Sequence, residues 1–133
     1  MSPDVIRLVV PARRDSLSVL RTIAGNSARL SGFGYDRVEE ARLAVNEAAA
    51  VLVADGRSSS LRCELSSEST RLRVELTAEP GPSQWPPPDW PNSLEHAVLS
   101  TVTNWYELGI GNDTRIRILL SQDDDGIEGD RRF

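Results

Sequence analysis

Chemistry has few handles in this sequence of 133 residues. Cys63 is its one cysteine and His96 its one histidine, so no internal disulfide forms and no Cys/His cluster offers a structural zinc site. Cys63 shares a strand phase with Leu61 and Leu65, which suits a buried small hydrophobe and not a redox switch. His96 has no second ligand or nucleophile near it in sequence, which reads as a surface histidine. All 15 cationic side chains are arginine. Without lysine there is no phosphate-loop lysine and no Schiff base, which excludes the phosphate-loop NTPases and the protein-kinase fold. Gly109 and Gly111 flank Ile110, and two glycines alone read as a turn, not a phosphate cradle. Trp85 and Trp90 stand in a proline-rich stretch, where a large ring is either a partner anchor or a plug packed down on the domain.

The elements that position these residues follow from periodicity. Alternation of Ile6, Leu8 and Val10 predicts a strand ending at Pro11. Leu17, Leu20, Ile23, Ala24, Ser27 and Leu30 fall at helical spacing, capped by Asp15 or Ser16 and stopped at Gly32. A second helix opens at the capping-box pair Asp36 and Glu39 and carries Val38, Ala41, Val45, Ala48 and Leu52 on one stripe. Leu61, Cys63 and Leu65, then Leu72, Val74 and Leu76, alternate with Arg and Glu, predicting a hairpin with one wet face. Six prolines within residues 79–92 forbid helix and interior strand, so this is a loop. A third helix starts at Asn92 or Ser93 and holds Leu94, Ala97, Val98, Thr101, Val102 and Trp105 on one face. Ile116, Ile118 and Leu120 mark a last strand. The expected fold is therefore an α+β two-layer sandwich, order β-α-α-β-β-α-β, in a single domain over residues 1–121. Residues 122–133 read as a disordered acidic tail.

The formal net charge is −5, so the general attraction to phosphate backbones is missing and nucleic acid is not an expected partner. No apolar run approaches the ~20 residues of a membrane span. The amino terminus lacks the layout of a signal peptide, so a reducing, cytoplasmic setting is expected.

With these elements in place, Arg37 to Val53 (RVEEARLAVNEAAAVLV) resembles the second helix of the bacterial anti-sigma-factor serine kinases, and Val19 to Gly25 (VLRTIAG) resembles their first. Together with the element order, this similarity implies a histidine-kinase-like ATPase (Bergerat) fold, shared with gyrase B and histidine kinases. In that family a helix-two Glu activates the substrate serine, and an Asn one turn later helps hold Mg²⁺ against the ATP phosphates. The matching positions here are Glu47 and Val51, and valine has no oxygen for a hard cation. The family's adenine site has an Asp followed by glycines after the second hairpin strand, where this chain has Glu79-Pro80-Gly81-Pro82. Arg21 falls where the family has an arginine near its dimer interface that contacts both sigma factor and antagonist.

The resemblance thus implies a degenerate member: an anti-sigma factor that sequesters a sigma factor through Arg21 and its surroundings, without nucleotide or metal. A homodimer and an anti-anti-sigma protein are further partners it suggests. An active kinase using ATP, Mg²⁺ and Glu47 is the alternative, and a partner-binding module without a sigma target is the third reading. A site that has lost its ligand leaves a hollow, and empty hollows forfeit contact energy. At least one of Trp85 and Trp90 is therefore expected to enter it, near Val51.

Overall fold

A computed structural model of the chain describes residues 4–123. Apart from Gln122 and Asp123, the tail expected at residues 122–133 lies outside that range. Eight elements organise the described residues: β1 (Asp4–Pro11), α1 (Leu17–Leu30), α2 (Tyr35–Val53), β2 (Ser60–Glu68), β3 (Arg71–Glu79), α3 (Leu94–Val102), β4 (Trp105–Leu108) and β5 (Arg115–Ser121). The strands form one antiparallel sheet in the order β1-β2-β3-β5-β4.

Residue period decides which sheet face the helices cover. Leu61, Cys63, Leu65, Val74, Leu76, Ile116, Ile118 and Leu120 share one phase across the paired strands and are all buried. They join Leu20, Val45, Ala48 and Leu52 of the helices in one core. Alanines at 41, 44, 48 and 49 are fully buried in α2, and such short side chains bring helix and sheet close. The opposite phase carries the charges. Glu64 lies directly across from Glu75, and each like charge is answered from its other side. Arg7 meets Glu64 at 2.7 Å and Arg117 meets Glu75 at 2.9 Å. This is the α+β two-layer architecture that the alternation predicts.

Helix ends divide into local and long-range solutions. Gly32, with φ of +82°, closes α1: its N–H donates to Arg29 O, and Phe33 N–H donates to Ala28 O, the paired bonds of a Schellman motif. Ser93 caps α3 by accepting from His96 N–H at 3.1 Å. The capping box expected at Asp36 and Glu39 does not form. Gly34 is the N-cap of α2, and its N–H donates to the Gln122 side chain, 88 residues away.

One element differs from expectation. Trp105 does not extend α3, which stops at Val102, and the order becomes β-α-α-β-β-α-β-β. Thr103 turns its hydroxyl back onto Leu99 O. Arg37, on α2, donates to Val102 O at 2.6 Å, to Ser121 O at 2.8 Å and to the Asn104 side chain. The helix-ending carbonyl is thereby claimed by a cation, and Trp105–Leu108 is released to pair with β5, Tyr106 opposite Ile118 and Leu108 opposite Ile116.

Candidate functional site

Glu47 and Val51 sit one turn apart on α2, both half-buried, so the helix presents them together. Glu47 accepts from Asn46 Nδ2 at 3.4 Å, and Asn46 Oδ1 in turn accepts from Arg21 of α1 at 2.6 Å. The structure thus brings Arg21 and Glu47 into one hydrogen-bonded chain through a residue that the sequence reading passed over. Val51 points a hydrocarbon where the family resemblance asks for an oxygen. Among the described residues there is no group of three or more His, Cys, Asp or Glu able to hold a metal ion.

The loop of residues 79–92 lies against the carboxyl end of α2. Val51, Ala54 and Asp55 from the helix side and Pro82, Ser83, Gln84, Pro87 and Pro88 from the loop enclose a hollow of about 180 Å³. Asp55 fastens the loop there. One of its carboxylate oxygens accepts from Ser83 N–H at 2.8 Å and Ser83 Oγ at 3.0 Å, and the other accepts from Arg57 N–H at 3.0 Å. These bonds, that from Ser83 N–H foremost, hold the Asp55 carboxyl below its ordinary pKa. At its start the loop passes so close to the residue before β5 that a Cβ on Gly81 would stand 2.2 Å from Thr114 Cγ2, which leaves room only for glycine.

Both tryptophans pack on the domain, but neither lines the hollow at Val51. Pro82, Pro87 and Pro88 line that place instead, where Asp55 holds the loop by the backbone and hydroxyl of Ser83. Trp85 is half-buried against the β4–β5 turn, its indole N–H shared between Gly109 O at 2.8 Å and Asp113 O at 3.1 Å. Trp90 donates to the Tyr106 hydroxyl at 3.3 Å. Trp90, His96 and Tyr106 meet edge to face, with ring centroids 5.8–6.2 Å apart. The Tyr106 hydroxyl also bonds His96 Nδ1. His96 is therefore half-buried in an aromatic cluster and not the isolated surface group that its sequence surroundings suggest.

The residues missed in sequence are Asn46, Asp55, Ser83 and Tyr106. Asp55 precedes Gly56 as in a common turn pair, yet nothing local shows that it accepts from a residue 28 positions downstream. Cys63 is buried as expected, and burial, with Glu64 adding to it, pushes its thiol pKa up to about 12. No family model matches the chain, and no curated protein matches it.

Proposed function

We propose that this chain is an anti-sigma regulatory factor on a histidine-kinase-like ATPase fold, one that sequesters a cytoplasmic sigma factor by surface binding and neither binds nucleotide nor transfers phosphate. The single observation that carries the non-catalytic part is the proline loop seated over Val51 and tied to Asp55. In the place where the resemblance puts a Mg·ATP complex, Val51 offers hydrocarbon, prolines line the loop side, and the Asp55 carboxylate is spent on Ser83 and Arg57. The sigma-binding part is supported by the α1 and α2 segments that resemble the family, by helices on one face of an antiparallel sheet, and by the long loop between β3 and α3. Acidic character suits the task, since basic surfaces of sigma factors attract it during encounter.

Two measurements test the reading. Each sigma factor of the cell the gene comes from, co-expressed with the chain, is examined for co-purification with and without Mg·ATP. One of them is expected to co-purify equally under both conditions. Calorimetric titration with Mg·ATP is expected to be silent, and micromolar, Mg²⁺-dependent affinity would restore the kinase reading with Glu47 as its base. Failure of every sigma factor to bind would leave the fold as a regulator of some other partner.

A further inference from the structure

We propose that Asn46 is a positioning residue for partner recognition by Arg21, and that Glu47 serves this pair as the acceptor that orients the Asn46 amide and not as a catalytic base. The inference rests on the reading of α1 as the partner surface. Arg21 belongs to α1, Asn46 and Glu47 to α2, and all three are half-buried where the two helices meet. Asn46 has one acceptor and one donor end, and both are assigned by their neighbours: its oxygen faces the Arg21 guanidinium at 2.6 Å and its amide nitrogen faces Glu47 at 3.4 Å. The reverse orientation would set donor against donor and acceptor against acceptor, so the amide is locked.

The interposed amide separates holding from neutralising. A carboxylate in its place would capture Arg21 in a bidentate ion pair and leave it little to offer. The amide uses an N–H of the guanidinium, fixes a long side chain that otherwise loses rotamer entropy on binding, and leaves further N–H donors for a carboxylate on the partner. Next to this chain on the α2 face stands Leu43, 42% exposed, at the three- and four-residue spacing that puts it beside Asn46 and Glu47. Along the same helix pair the methylenes of Arg42 cover Gly25, where a Cβ would lie 3.2 Å from Arg42 Cδ. A held cation beside an exposed leucine fits a partner segment that carries a carboxylate next to an apolar side chain.

The test uses the full chain and the sigma factor that co-purifies with it. Asn46→Ala is expected to weaken binding roughly tenfold, mostly through faster dissociation. It is expected to add nothing once Arg21→Ala is present, as a coupled pair requires. Asn46→Asp separates positioning from mere structure: it keeps Arg21 immobile in a new ion pair, although it sets a second carboxylate beside Glu47, and still loses affinity. Glu47→Ala removes the acceptor that orients Asn46 and is expected to weaken binding severalfold, and Glu47→Gln, which keeps an acceptor there, to recover most of the loss. In the free chain, the ¹⁵N heteronuclear NOE of Arg21 Nε is expected to fall in Asn46→Ala and to hold in Asn46→Asp. Additive losses from Arg21→Ala and Asn46→Ala, or an unchanged Arg21 NOE in Asn46→Ala, overturn the proposal while sigma binding by the parent chain stands. A parent chain that binds no sigma factor overturns the functional reading itself, and the proposal with it.

Discussion

A carboxylate that accepts backbone N–H groups is worth more ionised than protonated, and Asp55 is such a group, holding Ser83 and Arg57 at once. Its folded pKa lies below its ordinary value of 3.8, so its contribution to anchoring the loop is fully present above pH 3.8 and is lost as pH falls through the lowered folded value. At neutral pH the Asp55→Ala variant is expected to show the Ser83 amide exchanging fast, while in the parent chain the same amide loses protection only in acid; equal exchange in both at pH 7 would remove Asp55 from this role. The two indoles give a second reading at the same scale. Each is half-buried with its N–H bonded inside the domain, so Trp85→Ala and Trp90→Ala are each expected to cost about 2 kcal/mol in urea denaturation. Unchanged midpoints together with weakened partner binding would instead make the rings partner anchors. For Cys63, a thiol pKa pushed up to about 12 and burial within the sheet predict no reaction with a disulfide reagent at pH 8 until urea is added.

Elements whose ends are settled locally were legible in the sequence, and those settled by distant partners were not. The stop of α1 at Gly32 is written in a glycine with left-handed φ and the two bonds around it. The alternation of β2 and β3 shows directly in Leu, Cys and Val against Arg and Glu. By contrast, α3 and β4 merge in the sequence because Val102, Thr103 and Trp105 fit either a helix stripe or a strand, and the deciding group is Arg37, 65 residues from the carbonyl it takes. The candidate site divides in the same way. Val51 and the prolines announced themselves by residue type, whereas Asn46 and Asp55 act through partners 25 and 28 positions away. Arg37 therefore carries an element-scale prediction. Its guanidinium is largely buried, and Arg37→Ala orphans the carbonyls of Val102 and Ser121. A loss of about 2–3 kcal/mol is expected from equilibrium unfolding, and a shift below about 0.5 kcal/mol would show that water replaces the guanidinium.

For the molecule as a whole, one sheet face is stabilised by burial and the other is charged and wet. Arg7 is largely exposed and Glu64 about half exposed, so removing this pair by Arg7→Ala is expected to change the unfolding free energy by less than about 0.5 kcal/mol. The alternating charges do more to forbid a one-residue slip of the strands, which would bury them, than to hold the folded state. The strand order has a consequence for how the protein is made. Although β5 is the last strand among the described residues, it lies inside the sheet between β3 and β4. The residue after it, Gln122, bonds the β2–β3 turn at Thr70 and the start of α2 at Gly34. A chain emerging from the ribosome can pair β1, β2 and β3 early, but β4 has no strand neighbour, and the start of α2 lacks its bonds to Ser121 and Gln122, until residues 115–122 arrive. Residues 115–122 thus close this part of the structure, and a nascent chain paused before them leaves the open edge of β3 to chaperones.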